Sequence, residues 1–219
     1  VRGLMVSKDG KCFAMTPLLY KEEMVKALGD VPFYSEWNDH EGFTDAFKRG
    51  CERLGVLGGK IAFNDGVRAV DMLAMRDAMD IQLCNGVDVL SPLRSCKDAE
   101  ELEIMRESSR IVDKVVEKIR AFLKPGLKER DILKKIPEFF EEFGVTEMSF
   151  NPIVASGPNG SMPHYSGDQR VIENNDVVIF DLGGRYKSYC SDTTRTLFVG
   201  EPTEEQKKEI RKSSLADYN

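Results

Sequence analysis

The chain lacks the cysteine pattern of a protein stapled by disulfides or zinc. Its five cysteines, Cys12, Cys51, Cys84, Cys96 and Cys190, are odd in number, widely spaced and never arranged as C-x-x-C. Reduced thiols are the expected state. No apolar run approaches the roughly 20 residues that a bilayer span requires. A basic patch is also missing: the net charge of -6 is dispersed along the chain, which makes nucleic acid a poor partner. Val1-Arg2-Gly3-Leu4 does not resemble a secretory signal. These absences point to a cytoplasmic protein with no membrane and no nucleic-acid partner.

What is present is ordinary globular material. Hydrophobic residues at 41% and charged residues at 31% belong to a folded chain rather than a disordered one. The length allows one large domain or two small ones. Strand-like runs at 3–7 and 11–15 flank Asp9-Gly10, a hairpin signal. Helix-like stretches at 18–28, 44–54 and 67–79 then alternate with strand-like ones at 31–37, 60–63 and 81–84, the order of an α/β layer. Ser91-Pro92-Leu93-Arg94 reads as extended, because a residue before proline avoids the helical region. Ser95-x-x-Asp98 is a capping-box pattern opening a long helix. Leu102, Met105, Ile111, Val112, Val115, Ile119, Phe122 and Leu123 give that helix one apolar face. A second helix reaches Phe143, is closed by Gly144 and carries Pro137 as a kink or restart. Strand-like segments follow at 150–156, 171–172, 176–182 and 188–199, and Thr203-x-x-Gln206 opens another helix. The expected domains are residues 1–93 and 94–219. A chain that starts without Met in a strand-like run and stops in a helix has the look of a stretch from something longer.

Two carboxylates stand out, Asp181 in Phe180-Asp181-Leu182-Gly183-Gly184 and Asp192 in Ser191-Asp192-Thr193-Thr194-Arg195-Thr196. With 37 acidic residues in the chain, their spacing alone decides nothing. A hairpin turning at Tyr186-Lys187 would place them directly opposite each other, with Cβ atoms about 5 Å apart. Two bare carboxylates there repel by about 3 kcal/mol at an effective dielectric of 20. A shared proton or a bound cation relieves that, and oxygen ligands suit magnesium, manganese or cobalt. The alternative is two unrelated aspartates, one capping a turn and one facing water. His164 lies in a Gly/Pro-rich loop, Ser156 to Tyr165, where a histidine can exchange protons near neutral pH or simply face solvent. Cys190 shares the face of Asp192 by alternation and reads as a small core residue, with a soft metal ligand as the alternative. His40 sits in a polar loop and suggests no site.

Taken together, these segments resemble the Xaa-Pro aminopeptidase/prolidase family, the creatinase-like "pita-bread" metallopeptidases. Ser91-Pro92-Leu93-Arg94 with Lys97 to Leu102 is similar to the family's linker and first catalytic-domain helix. Phe150 to Gly157, running on to Pro163-His164, is similar to its substrate-side strand and catalytic-histidine loop. Asp181 to Gly184 through Tyr189 to Thr196 is similar to its first metal hairpin, and Val199 to Pro202 with Gln206 to Lys208 to the turn and helix beyond. Residues 1–90 are compatible with the creatinase-type N-terminal domain.

The resemblance implies an α/β N-terminal domain followed by the first half of an α+β pita-bread domain. It implies that Asp181 binds one metal, that Asp192 bridges two, and that His164 assists the tetrahedral intermediate as the catalytic histidine. The implied cofactors are two divalent ions, manganese first, cobalt or zinc otherwise. The implied partners are peptides with proline at the second position and a second copy of the chain in a homodimer. The family's set also has a further histidine and two glutamates beyond this hairpin, which the stretch after Asp192 is too short to supply. The chain as given is therefore expected to be inactive or nearly so. A non-catalytic pita-bread binding module is the rival reading, weighed against by the joint presence of Asp181, Asp192 and His164. Creatinase lacks the metal pair, and methionine aminopeptidase lacks a folded domain such as residues 1–90.

Overall fold

The computed structural model describes residues 2–208. The chain divides into two compact units, with the division between Cys96 and Lys97.

The first unit is built as alternating layers. β1 (Gly3–Val6) and β2 (Cys12–Pro17) pair antiparallel across the Asp9-Gly10 turn, where Gly10 takes a positive φ of 82°. After α1 (Lys21–Leu28), β3 (Tyr34–Trp37) joins β2 in parallel. α2 (Thr44–Leu54), β4 (Lys60–Phe63), α3 (Ala69–Ala78) and β5 (Gln82–Asn85) follow, with β4 and β5 as a parallel pair. The parallel pairs each require a crossover helix, which explains the strand–helix alternation read from the sequence. Phe13, Phe47, Trp37, Ile61 and Met75 form the core of this unit. The sequence expectation fails at 91–94. Val87–Ser95 is a helix, α4, with Pro92 inside it. The Asn85 side chain accepts from Val87 N–H (2.9 Å) and starts the turn. A proline costs one hydrogen bond and biases its predecessor against helix without forbidding it.

The second unit opens with α5 (Ala99–Phe122), whose capping box is Asp98 with Glu101 rather than the Ser95 box expected. Asp98 Oδ1 accepts from Glu101 N–H (2.9 Å) and Glu101 Oε2 accepts from Asp98 N–H (2.7 Å). α6 (Glu129–Glu141) carries Pro137 and is followed by Gly144 at φ 76°. β6 (Ile153–Ser156) and β10 (Thr193–Phe198) flank a central β7 (Val177–Leu182), all antiparallel. Beyond β7 the hairpin narrows to β8 (Arg185–Tyr186) and β9 (Tyr189–Cys190). Along β7, Val178, Phe180 and Leu182 are buried while Val177, Ile179 and Asp181 are half-buried. The buried set packs with Val112, Val115 and Ile119 of α5 and Ile132, Ile136 and Phe140 of α6. One face of β7 thus belongs to the helices, and the other, with Val177, Ile179 and Asp181, is turned away from them. At the chain's far end, Thr203 and Gln206 exchange the two bonds of a capping box (2.8 and 3.2 Å). The continuation of the helix expected there lies outside the described residues.

Two glycines join β7 to β8 because nothing larger fits. A Cβ on Gly183 would lie 1.9 Å from the Ser191 carbonyl oxygen, and one on Gly184 would lie 2.7 Å from both Phe140 and Val145. Gly184 N–H donates to Ser191 Oγ (3.1 Å), whose hydroxyl donates to Gly184 O (3.0 Å), locking the crossing. Gly183→Ala must push one strand off the other. It is expected to destabilise the second unit by at least about 3 kcal/mol, at or above the usual range for overpacking, as read by urea unfolding. Gly3→Ala, with open space at its Cβ, should be close to neutral. Equal stabilities for the two variants would contradict the packing described.

Candidate metal and proton-transfer site

Tyr186 pairs with Tyr189, so the hairpin turns at Lys187-Ser188 and not at Tyr186-Lys187 as the sequence suggested. Lys187 and Ser188 both have positive φ, 46° and 71°, the signature of a two-residue type I′ turn. The physical reason is burial: the Tyr186 ring packs against the core cluster, which draws Tyr186 into the strand and leaves the polar pair for the turn. The register correction moves Asp181 opposite Thr194. Asp192 falls opposite Gly183, two residues along. A shift of two preserves the face, so both aspartates still lie on the side of the hairpin turned away from α5 and α6.

The separation of such a diagonal pair is about 7 Å, and their mutual repulsion falls to about 2 kcal/mol at a dielectric of 20. Asp181 is half-buried and Asp192 exposed. Thr194, which the sequence did not single out, donates its hydroxyl to Asp181 Oδ1 (2.9 Å) and fixes that carboxylate's rotation. Cys190 is exposed rather than part of the core, and His40 is exposed in its loop as expected.

His164 is exposed on the loop that leaves β6 through a short 3-10 turn, Gly157–Ser161. That turn lies against the carboxylate side of the sheet: a Cβ on Gly160 would lie 3.3 Å from Ile179 Cδ1, and Ile179 shares its face with Asp181. Among the described residues no hydrogen bond or ion pair joins His164 to either aspartate. The structure therefore brings the two aspartates onto one strand pair and spreads the base of the histidine loop over the same face.

The loop is anchored by a group that sequence reading passed over. Glu129, the first residue of α6, is fully buried. Its Oε1 accepts from Ser156 N–H (2.8 Å), Ser156 Oγ (2.8 Å) and Asn159 Nδ2 (3.0 Å), and its Oε2 accepts from Tyr165 O–H (2.8 Å). Burial pushes the Glu129 carboxyl up, but the bonds from Asn159, Ser156 and Tyr165 outweigh it and hold the group below its ordinary value. Burial and the bond to Glu129 push the Tyr165 phenol up. Arg170 extends the network, donating to Ser156 Oγ (2.8 Å) and to Asp176 Oδ1 (3.0 Å). Asp176 is likewise raised by burial but lowered on balance by Arg170 and by Glu173 N–H. In the sequence, Glu129 sits in the charge run Lys128-Glu129-Arg130-Asp131, indistinguishable from a solvated helix start. The polar residues of the loop opposite were the only available signal.

The donor set can be tested against a divalent ion. Two carboxylates on one face suit a hard cation, with Thr194 leaving Asp181 Oδ2 free to bind. Among the described residues no group of three or more His, Cys, Asp or Glu side chains is placed to hold an ion. The fit is right in kind, but two carboxylates are fewer donors than a tight site needs.

Comparison with known proteins bears on the same segments. Residues 103–214 match the model of metallopeptidase family M24. Prolidase from Thermococcus sibiricus superposes with a TM-score of 0.86 at 36% identity, covering 97% of this chain and 58% of that one. The Xaa-Pro dipeptidase from Bacillus anthracis gives 0.81 at 30%, covering 95% and 57%. A curated relative, an uncharacterized peptidase of Staphylococcus aureus strain MW2, is 30% identical over 203 residues, 92% of this chain and 56% of that protein. The chain thus spans about half the length of the curated relatives it matches. The expected fold class, an α/β unit followed by pita-bread elements, is borne out. No helix among the described residues is long and apolar enough to cross a membrane.

The buried carboxylates set a pH dependence. Glu129 and Asp176 are both held below their unfolded-state values, so they add stability that is full above about pH 5 and is lost as pH falls through the folded-state values. Urea midpoints should be flat from about pH 8 to 6, fall below about pH 5, and fall less steeply in Glu129→Gln. Stability that rises between about pH 5 and 3 would reverse the assignment. On its matched residues and its fold, the chain belongs to metallopeptidase family M24.

Proposed function

We propose that this chain supplies Asp181 and Asp192 as metal ligands, and His164 as the proton-handling residue, of a peptidase that cleaves Xaa-Pro bonds with two divalent ions, manganese first. The observation that carries the reading is the shared face: both aspartates lie on the sheet surface turned from the helices, and the turn leading to His164 packs on that surface. The solved relatives named as prolidase and Xaa-Pro dipeptidase support the substrate class.

The roles follow from residue chemistry. Asp181, held by Thr194, presents a pre-oriented oxygen. Asp192, exposed at the mouth of the hairpin, has both oxygens available to share. Bound divalent ions supply activation of water and polarisation of the scissile carbonyl. His164, through an imidazole N–H, is suited to donate a hydrogen bond as charge develops on a peptide carbonyl oxygen. Its loop, rather than a strand, carries it, so the peptide has room to enter from the exposed side.

With two protein ligands, binding by this chain alone is weak. Calorimetric titration with Mn²⁺ should give a dissociation constant above about 10⁻⁴ M, abolished by Asp181→Ala or Asp192→Ala and weakened less by Thr194→Val. Hydrolysis of an Xaa-Pro dipeptide by the chain alone should be slight. Mn²⁺ binding that survives both aspartate substitutions would place the metal elsewhere and sink the reading.

A further inference from the structure

A fully buried carboxylate with four donated hydrogen bonds is costly to assemble, and all four come from one stretch of chain. Ser156 ends β6, Asn159 lies in the 3-10 turn, and Tyr165 directly follows His164. Asn159 also donates to the Tyr165 hydroxyl (2.8 Å), closing a triangle with Glu129. The returning segment is tied to the same helix start: Glu129 N–H donates to Arg170 O (3.1 Å) and Arg130 N–H to Asp168 O (2.9 Å). Gly157, at φ 52°, has no room for a side chain because a Cβ there would meet Arg170 and Asp176 at 2.8 Å. Departure, crest and return of the loop are therefore all referred to a single residue.

We infer that Glu129, acting through Asn159 and Tyr165, is a positioning residue that fixes the His164 loop over the carboxylate face of β7. The inference rests on the functional reading of His164 given above. Geometry sets the division of labour. Glu129 is buried and all its carboxylate contacts are within the protein, so it does not meet substrate. Tyr165 is half-buried, with its hydroxyl inward on Glu129, so its backbone fixes the root of the neighbouring imidazole. Losing the Tyr165 hydroxyl leaves Glu129 with its three bonds to Ser156 and Asn159. That change frees the crest of the loop without unfolding the unit.

The test uses Tyr165→Phe and Glu129→Gln in the full 219-residue chain. Hydrogen exchange across 160–166 should accelerate at least about tenfold in Tyr165→Phe, the loss of one hydrogen bond to a charged group. Segments elsewhere that exchange by local opening should stay close to wild type, and the melting temperature should fall by no more than the several degrees that one lost hydrogen bond implies. Glu129→Gln keeps the shape and one of the two acceptor oxygens, replacing the other with a donor, and should also accelerate exchange at 160–166. Unchanged exchange at 160–166, or acceleration spread evenly over 97–208, overturns the proposal, because the bond is then either idle or a general support. A second readout follows the imidazole itself. His164 gives one of two histidine signals, assigned by substituting His40. Mn²⁺ should broaden it in the wild type and less so in Tyr165→Phe. Equal broadening in both proteins overturns the positioning role. No broadening in the wild type counts against the metal reading alone, and the exchange data then decide the positioning role independently.

Discussion

A carboxylate sealed from water must find donors inside the protein or the surrounding fold does not survive, since leaving such a group unpaired costs several kcal/mol. Glu129 imposes that constraint on the second unit. Its position at the first residue of a helix gives partial compensation, because unpaired N–H groups there favour negative charge. The remainder comes from side chains and backbone up to 36 residues away in sequence. The strand end, the 3-10 turn and the segment carrying His164 are shaped by having to supply those donors. Arg170 completes the arrangement by donating to the Ser156 hydroxyl from its other side, and is itself held by Asp176.

The placement of the carboxylate pair has a different cause. Val178, Phe180 and Leu182 are at most 1% exposed, and burial of each contributes about 1.5–3 kcal/mol. Repulsion between Asp181 and Asp192 costs about 2 kcal/mol at most, less where Asp192 meets water. The apolar face therefore decides which way β7 turns. The aspartates sit together because alternation puts them on the side the core does not want, and no bound ion is needed to hold the register.

Much of this was legible beforehand. Alternating layers, the long α5 with its apolar stripe, and the hairpin carrying Asp181 and Asp192 all follow from periodicity and turn residues. What failed did so for local reasons. Pro92 sits within a short helix because one lost hydrogen bond is a small cost there, and Asp98 caps α5 because its neighbour three residues on is a glutamate. The turn moved by one residue because Tyr186 is worth burying, a contact no local rule contains. Glu129 was invisible for a similar reason. Its partners are remote in sequence, and a glutamate in the first turn of a helix normally faces solvent.

The paired glycines at 183 and 184 have a consequence for how this hairpin tolerates change in length. At Gly183 the two strands come too close for any side chain, at Gly184 the ribbon is pressed against Phe140 and Val145, and together they act as a fixed index mark along it. Residues added beyond that mark, at Lys187-Ser188, only extend the tip, and Asp181 and Asp192 keep their spacing. A single residue added between the mark and either aspartate reverses the side on which that aspartate emerges. The tip is therefore free to vary in length and composition, while the four residues from Asp181 to Gly184 behave as one indivisible piece.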